Sequence, residues 1–471
     1  MPIDINKLRA EKGGDPEAVR ASEQKRYRAT DTVGTAVDLD QQWRKDMFTL
    51  DKLREELGKI QKEITQKKKA SKGQDPCTEE LARKAEGEKK IQEQEKLVAE
   101  VAKDRDSAVH SIGNIILPDV PVSNDEDNNE VYKMWGEPRK IFVDGKTPGH
   151  LYHHQIMYML GAMDQERGIN IVGHRGYFLR GVGVLLNMAL INYGMSVLVK
   201  KGYTALQPPF FMKKDIMAET AELGDFDEQL YKVSENSQQK KEEKGLKEND
   251  GEYYLIATSE QPISAYHRKE WIDEDSLPLR YAGISTCFRK EAGSHGKETW
   301  GLYRIHQFEK LEQFCITTPE ESVAMHEHML DVAEEFYQSL DLPYRVVKIV
   351  SGALNDAAAK KYDLEAWFPG YNMYKELVSC SNCTDYQSRA METRCGHVKQ
   401  GEREKRYVHM LNSTLCATER AMCCIVENYQ EEDGVRVPRV LVPFMHGMEF
   451  LPYVKPVPKN PDEGKKAEAK K

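Results

Sequence analysis

Two long, highly charged stretches near the start of the chain carry apolar residues at every third or fourth position. The first stretch has a continuous apolar stripe, made of Leu39, Trp43, Met47, Leu50, Leu53, Leu57, Ile60 and Ile64. The second stretch has a thinner stripe, made of Leu81, Ala85, Ile91, Val98 and Val101. A polar turn at residues 70–76 separates them, so the pattern predicts an antiparallel helical coiled-coil hairpin over about 39–112.

The rest of the chain alternates shorter apolar segments with polar ones. Residues 181–200 are apolar on nearly every side, which predicts a helix buried in a core or a subunit interface. Further predicted elements are helices at 263–271 and 319–340, a loop that enters a helix at 411–429, and a strand at 439–443. The remaining segments predict irregular structure: a linker at 118–149, a polar surface loop at 234–251 and a disordered Lys-rich tail at 455–471.

Residues 287–316 concentrate charge on two predicted antiparallel strands that a polar, glycine-containing loop joins. Alternation puts five residues of the second strand on one face: Arg304, His306, Phe308, Lys310 and Glu312. In the first strand, one face holds Cys287, Arg289 and Glu291. A core could not bury these charges unpaired, and a solvated face has no need of a phenyl ring. We therefore predict a binding floor, with cations for a polyphosphate, a ring for a stacked base and carboxylates for an amine.

The composition limits the class of protein. With 471 residues, of which 39% are hydrophobic and 31% charged, the chain has room for two or three domains and a long solvated helical part. A net charge of −9 excludes a protein that is basic all over, although local basic surfaces stay open. Nine scattered cysteines predict reduced thiols. No apolar run approaches the roughly 18 residues that span a bilayer, so we expect a soluble cytoplasmic protein with no membrane partner.

Two features allow more than one interpretation. The hairpin can be a spacer or an oligomerisation rod, because charge on a coiled coil is usually a solvated face. Its lysines at 67–69 can bind phosphates, but such a run binds weakly and without sequence preference. Cys380 and Cys383, together with Cys395 and His397, have the residue types of a zinc site.

Taken together, the motifs resemble those of class II aminoacyl-tRNA synthetases, and among them the seryl-tRNA synthetases of the bacterial and eukaryotic type. Residues 288–293 read Phe-Arg-Lys-Glu-Ala-Gly, and residues 306–314 read His-Gln-Phe-Glu-Lys-Leu-Glu-Gln-Phe. Thr-Ser-Glu at 258–260 and Val-Ser-Cys-Ser-Asn-Cys at 378–383 make the match specific. The similarity covers nearly the whole chain.

The resemblance implies an α+β fold, in which helices flank an antiparallel class II sheet and an antiparallel coiled-coil hairpin precedes it. It implies a tRNA-binding domain at 1–117, the linker at 118–149 and a catalytic domain at 150–454. The three class motifs correspond to residues 183–209, 287–316 and 412–429.

The resemblance also implies a reaction. L-serine is activated with ATP to seryl-adenylate and pyrophosphate, and the serine is transferred to tRNA(Ser) and, in the family, also to tRNA(Sec). Positions that match the family's ATP-binding residues are Arg289, Glu291, Arg304, Phe308, Glu376, Ser379 and Arg420. Among these, Arg289 and Arg420 correspond to catalytic cations, and Glu376 and Ser379 correspond to the residues that hold Mg²⁺ with ATP. Positions three apart do not share one face of a straight strand, so we expect a bend or bulge between Glu376 and Ser379.

The serine-binding positions of the family correspond to Thr258, Glu260, Arg289, Lys310, Glu312, Asn412 and Thr414. By resemblance, Glu312 pairs with the substrate ammonium, while Asn412 and Thr414 meet its hydroxyl. The family match explains Cys380 and Cys383 without a metal, so no zinc is expected. His306 is either a base for the transfer step or a structural hydrogen-bonding partner. One departure is visible, because glutamate precedes Arg420 where bacterial-type members commonly have glycine.

The partners implied by the resemblance are L-serine, ATP, tRNA and a second copy of the chain, with motif 1 at the twofold interface. Two rival interpretations come from other classes of protein. A synthetase-like binding module that has lost aminoacylation should lack an ATP or serine contact. A coiled-coil protein with an inert globular head predicts no loss of ATP binding in Arg289→Ala. The sequence assigns no function to the insertion at 234–251 or to the tail.

Overall fold

The computed structural model describes residues 2–139, 141, 150–220, 229–234, 252–291, 300–396 and 405–458. The chain forms two compact units, Met1–Ile115 and Ile116–Lys471. The predicted surface loop beyond Ser234, the residue His397 and the predicted tail beyond residue 458 lie outside the described residues.

The first unit is a helical hairpin preceded by short turns. Its helices are α1 (Pro16–Lys25), α2 (Asp31–Ala70) and α3 (Thr78–His110), and 3₁₀ turns lie at Ile5–Leu8 and Ala10–Lys12. Arg54 pairs with Glu95 and Glu63 pairs with Arg83, so later positions of α2 meet earlier positions of α3. The predicted antiparallel hairpin is therefore confirmed. Helix α2 begins before residue 39 because its first turns also pack, with Val33 fully buried.

The strands of the second unit are β1 (Glu130–Trp135), β2 (Met163–Asp164), β3 (Phe178–Leu179), β4 (Thr204–Leu206), β5 (Phe211–Lys213), β6 (Lys232–Ser234), β7 (Glu252–Leu255), β8 (Trp271–Ile272), β9 (Leu279–Phe288), β10 (Gln307–Thr317), β11 (Tyr344–Lys348), β12 (Lys360–Phe368), β13 (Met373–Asn382), β14 (Arg394–Cys395), β15 (His409–Ala417), β16 (Gly434–Arg436) and β17 (Phe450–Pro452). Eight of them form the main sheet, in the order β1-β11-β12-β13-β15-β10-β9-β4. All neighbours in this sheet are antiparallel except β4 and β9, which are parallel, so the expected antiparallel sheet is in fact mixed.

The helices of the second unit are α4 (His153–Met159), α5 (Gln165–Val172), α6 (Val182–Lys200), α7 (Lys214–Thr220), α8 (Glu260–Ser264), α9 (Ser322–Ser339), α10 (Tyr386–Ala390) and α11 (Thr418–Asn428). Helices α6, α9 and α11 cover one face of the sheet, where Leu190, Phe336 and Ile425 join Leu311 and Leu415 in one buried core. Side chains alternate along a strand, so the neighbours of Leu311 on β10 point to the opposite face.

Helix α6 is the one helix among the described residues that is long and apolar enough to cross a membrane by length and composition. Its 19 residues correct the expectation that no apolar run reaches that length. Leu186, Leu190 and Leu198 are buried in the core, as predicted for this helix. Val184 and Met188 lie on the exposed side of the same helix.

Four sequence-predicted segments differ from the structure. The predicted linker at 118–149 contains β1, which is an edge strand of the main sheet. The predicted loop from residue 411 is strand β15, which lies inside the sheet and is buried on both faces, so it lacks the alternation that signals a strand. The predicted strand at 439–443 is a 3₁₀ helix, Arg439–Met445, preceded by Pro438. The predicted helix at 263–271 is shorter, because α8 ends at Ser264.

Candidate active site

The sequence-predicted site residues meet at one cavity of about 380 Å³ on the sheet face that α6 and α9 leave uncovered. It is lined by every predicted ATP-binding and serine-binding residue, which are Thr258, Glu260, Arg289, Glu291, Arg304, Phe308, Lys310, Glu312, Glu376, Ser379, Asn412, Thr414 and Arg420. The cavity therefore combines side chains from motifs 2 and 3 with those of one segment before motif 2 and one segment between the two motifs. Their roles stay predictions, but their common location is a property of the fold.

Strand β10 forms the floor of this cavity. Phe308, Lys310 and Glu312 alternate along it and all line the cavity, as period two predicts. Cys287 of β9 lies opposite Phe308 in the register but is fully buried and does not line the cavity. His306 does not line it either, and its Nδ1 lies 3.0 Å from the Arg289 carbonyl oxygen. This contact favours the structural alternative for His306.

Two β-bulges turn site residues towards the cavity. In β13, Leu364 faces Val378 while the next residue of β12, Glu365, faces Glu376. Leu377 is therefore the extra residue, and the expected irregularity between Glu376 and Ser379 is present. A second bulge lies between Thr414 and Cys416 of β15. In a regular strand these side chains would point to opposite faces of the sheet. The bulges allow them to line the same cavity.

One end of the cavity is cationic and is lined by the half-buried Phe308 ring. The Arg289 guanidinium carbon lies 5.2 Å from the centre of the Phe308 ring, and Arg289 Nε donates to the Ala257 carbonyl at 3.4 Å. Arg304 Nη1 donates to Glu291 Oε2 at 3.3 Å. An arginine fork beside an aromatic ring suits a phosphate next to a stacked base.

Arg420, the second residue after Thr418 in the first turn of α11, completes the cationic end. Its Nη1 lies 3.3 Å from Glu376 Oε2, and its Nε donates to the Tyr303 carbonyl at 3.3 Å. The Tyr303 ring lies below the guanidinium, at 4.9 Å. Burial opposes the charge of Arg420, but the Glu376 carboxylate outweighs burial and raises the pKa of Arg420. Arg420 and Glu376 are thus both charged at the cavity.

The other end of the cavity is small, polar and acidic. Lys310 Nζ lies 2.5 Å from Glu312 Oε2, which also accepts a hydrogen bond from Thr258 Oγ1 at 3.3 Å. Glu260 Oε1 accepts hydrogen bonds from Gln387 Nε2 at 2.9 Å and from Asn412 Nδ2 at 3.0 Å.

The two carboxyl groups of this end influence each other. Burial, followed by the nearby charge of Glu312, raises the pKa of Glu260 to about 7. An added cation between them would favour the charged form of both groups. This end is therefore suited to an ammonium group with a hydroxyl beside it.

The structure adds Tyr303 and Lys361, which the sequence did not single out, to the cavity lining, together with Glu419. Lys361 lies 3.7 Å from Asp363 Oδ1, and burial raises the pKa of Asp363 to about 7. Glu419, the residue that departs from the glycine of bacterial-type members, accepts hydrogen bonds from the Tyr177 hydroxyl and the Glu309 backbone. Its position next to Arg304 was the only available signal for Tyr303. Lys361 had none.

The cysteines of the zinc alternative have other surroundings. Cys380 is fully buried, and its Sγ faces the His326 carbonyl at 3.8 Å. Cys383 Sγ accepts a hydrogen bond from Asn412 Nδ2 at 3.5 Å, and Cys395 lies in β14. His397 lies outside the described residues.

Comparison with known protein families gives two matches along the chain. Residues 3–116 match the family described as "Seryl-tRNA synthetase N-terminal domain". Residues 231–429 match the family described as "tRNA synthetase class II core domain (G, H, P, S and T)". The first match covers the hairpin unit and the second covers most of the cavity residues.

Similar proteins extend over nearly the full length. "Serine--tRNA ligase, cytoplasmic" of Dictyostelium discoideum is 51% identical over 98% of this chain and 97% of its own length. The protein of the same name from Schizosaccharomyces pombe is 53% identical over 97% of this chain and 98% of its own length. The crystal structure of cytoplasmic serine-tRNA ligase from Naegleria fowleri in complex with AMP has a TM-score of 0.83 and 46% identity, and covers 96% of this chain and 99% of that one.

Proposed function

The chain belongs to the seryl-tRNA synthetase family of class II, and from this premise we propose that it is a cytoplasmic serine–tRNA ligase. It activates L-serine with ATP to seryl-adenylate and pyrophosphate, and then transfers the serine to tRNA(Ser). By family membership, tRNA(Sec) is a further acceptor. The observation that carries the proposal is a single cavity with three arginines and a ring at one end and an acidic, amide-bearing pocket at the other.

In the first step, a carboxylate oxygen of serine attacks the α-phosphorus of ATP and pyrophosphate leaves. Such a displacement is accelerated mainly by positioning and by fixed cations against the spreading negative charge. We assign the α-phosphate to Arg289, the γ-phosphate to Arg304 and the other end of the nucleotide to Arg420. Phe308 stacks on the adenine ring, and Glu291 accepts from its amino group.

Glu376 and Ser379 are the residues that would hold Mg²⁺ with the phosphates. A carboxylate and a hydroxyl oxygen fit the preference of Mg²⁺, which shares its coordination with substrate phosphates. Among the described residues, no three His, Cys, Asp or Glu side chains are grouped as a metal site. The oxygens of Glu376 and Ser379 would therefore hold Mg²⁺ only when ATP supplies further ligands. When bound, the ion neutralises phosphate charge, while Arg420 beside Glu376 orients the nucleotide.

The serine end explains selectivity against similar amino acids. Glu312 pairs with the ammonium group, assisted by Glu260, and Asn412 and Thr414 meet the hydroxyl group. Alanine leaves these buried polar groups without a partner, which costs more than the lost contact itself. Threonine brings an additional methyl group into a pocket that Thr258 and Glu260 narrow.

In the second step, a ribose hydroxyl of the tRNA terminus attacks the carbonyl carbon of the adenylate, and AMP leaves. We assign delivery of the tRNA to the hairpin of α2 and α3. Its exposed lysines and arginines suit the phosphate backbone and the shape of an RNA helix more than its base sequence.

The functional unit is a homodimer. On α6, Val184, Met188 and Val199 are 38%, 53% and 52% exposed and share one face of the helix with Ile191 and Met195. An apolar stripe of this length on the surface of a folded protein marks an interaction site. A second copy of the same helix in a twofold interface would cover it.

Serine-dependent exchange of radiolabelled pyrophosphate into ATP tests the activation step. The purified chain should exchange label with L-serine and fail to do so with L-alanine or L-threonine. A synthetase-like binding module without aminoacylation activity would show no exchange with any amino acid.

A further inference from the structure

We infer that His153 is a positioning residue for ATP: its imidazole fixes the chain segment 300–305, which carries Tyr303 and Arg304 into the cationic end of the cavity. The inference rests on the proposed function, because it assigns this end of the cavity to the nucleotide. His153 itself lies outside the cavity, at the start of α4.

Both ring nitrogens of His153 face acceptors. Nδ1 lies 3.1 Å from Glu427 Oε1, and Nε2 lies 3.1 Å from the Trp300 carbonyl oxygen. A neutral imidazole has a single N–H and can satisfy only one of them as a donor. The side chain is fully buried, so no water replaces a missing donor. The geometry therefore requires a doubly protonated ring between a carboxylate and a carbonyl.

The partner carboxylate accepts two further hydrogen bonds. Glu427 Oε1 accepts the backbone N–H of His153 at 2.9 Å, and Oε2 accepts the backbone N–H of Gly370 at 2.9 Å. A carboxylate oxygen that receives an N–H is a hydrogen-bond acceptor. Glu427 therefore acts as an acceptor towards His153, and the two form an ion pair inside the protein.

Three further groups surround the imidazole. The Tyr371 ring stacks on it at 6.1 Å, the His154 ring meets it edge-on at 5.7 Å, and Cys423 lies beside it on α11. Burial lowers the pKa of His153, but Cys423 and Glu427 outweigh burial and raise the pKa to about 10. The ring thus keeps both protons at neutral pH.

Two glycines make room for the pair. A Cβ atom on Gly301 would lie 2.5 Å from His153 Nε2, and Gly301 has a φ of +61°, which disfavours other residues. A Cβ atom on Gly370 would lie 2.9 Å from Glu427 Oε2. Any larger residue at either place would push the backbone away from the ion pair. The close approach of residue 301 to His153 thus requires glycine at position 301.

The hydrogen bond from His153 to the Trp300 carbonyl can position residues 300–306 because this segment forms neither helix nor strand. The course of such a segment is set by its side-chain and carbonyl contacts, not by a hydrogen-bonded ladder. Three residues after Trp300, the Tyr303 carbonyl accepts from Arg420 Nε, and Arg304 pairs with Glu291. The serine end has separate supports, since Glu312, Glu260 and Asn412 lie on β10, α8 and β15. A loosened segment should weaken ATP binding and spare serine binding.

Two substitutions of His153 distinguish the loss of the hydrogen bond to the Trp300 carbonyl from the loss of stability that any change of a buried residue causes. The amide nitrogen of His153→Gln takes the place of Nε2 and can still donate to the Trp300 carbonyl. The amide nitrogen of His153→Asn takes the place of Nδ1, so it can donate to Glu427 and loses Trp300. Both variants lose the charge and one donor, which makes them a matched pair.

The test is the dissociation constant of ATP for the full chain by calorimetry, with thermal unfolding measured in parallel. His153→Asn should bind ATP about tenfold more weakly than the unsubstituted chain, the effect of about one lost buried hydrogen bond, and His153→Gln within about threefold of it. Serine KM should stay unchanged in both. Equal weakening in the two variants, or none in His153→Asn, would overturn the inference.

The same experiment keeps the inference apart from the proposed function. ATP binding is measured without turnover, so it reports on His153 whether or not the chain activates serine. Loss of serine-dependent exchange in the unsubstituted chain would remove the proposed function, while the order of ATP affinities would still decide the role of His153.

Discussion

Arg420 and Glu376 form an ion pair of 3.3 Å between the first turn of α11 and the bulged strand β13. The pair links motif 3 to the strand that carries the proposed Mg²⁺ ligands, and both side chains line the cavity. In the proposed complex, the nucleotide is the partner of the arginine and Mg²⁺ is the partner of the carboxylate. The pair would then hold both side chains in place before the nucleotide binds.

Replacing Arg420 with lysine should lower serine-dependent pyrophosphate exchange by about 100-fold, because an ammonium group cannot reproduce the bidentate fork over the Tyr303 ring. The loss should reside in kcat/KM for ATP. Arg436→Lys is the matched control, since Arg436 is exposed and pairs with Glu431 outside the cavity. Retained exchange in Arg420→Lys would show that Arg420 does not act on the nucleotide.

The serine KM should depend on pH through Glu260. Burial and Glu312 raise the pKa of Glu260 to about 7, so below that pH the group is protonated and neutral. A bound ammonium favours the carboxylate, so serine binding releases a proton, and the KM should rise as pH falls from 8 to 6. The KM should rise about tenfold in total over these two pH units, because the ionised fraction of Glu260 falls by that factor. A pH profile of the exchange reaction measures it, and Glu260→Gln should abolish the dependence. A profile that is flat in the unsubstituted chain contradicts the assignment.

Removing the outer part of the hairpin should separate the two steps of the reaction. Arg54 and Glu95 are ion-paired at 2.8 Å, so a short glycine-serine turn can replace residues 55–94 and leave this pair at the closed base of the hairpin. Serine activation should persist, while aminoacylation of tRNA(Ser) should fall by more than about 100-fold as the phosphate contacts are lost. Full charging by the shortened chain would make the hairpin a spacer.

Met188→Asp should convert the proposed dimer to a monomer. The side chain is 53% exposed in the middle of the apolar face of α6, and a charge buried in a twofold interface is placed there twice. Sedimentation velocity reports the change. Val323→Asp, at a residue of α9 that is 57% exposed, is the control and should leave the dimer intact. A dimer that survives Met188→Asp would place the interface elsewhere.

Much of the candidate site could be predicted from the sequence because site residues occupy every second position along β10. Phe308, Lys310 and Glu312 lie on the cavity floor as that alternation requires. The bulge of β13 follows from the family resemblance and the spacing together, since Glu376 and Ser379 match one site but cannot share a face of a straight strand. The family resemblance then supplied Thr258 and Asn412, which periodicity could not connect to β10.

Other parts had no local signal. Strand β15 was predicted as a loop, because burial on both faces and a bulge remove the alternation of a strand. Gln387 reaches Glu260 across 127 residues of sequence, which no spacing rule detects. His153 and Glu427 are 274 residues apart, and the pair becomes visible only when α4 and α11 are placed side by side.

Pyrophosphate exchange with the purified chain, measured with L-serine, L-alanine and L-threonine and then with Arg289→Ala, tests the account most directly. Exchange should require L-serine, and Arg289→Ala should lower it by about 100-fold or more, because a cation is lost from the α-phosphate. No exchange with serine, or equal exchange with alanine, would contradict the assignment of this cavity to serine activation.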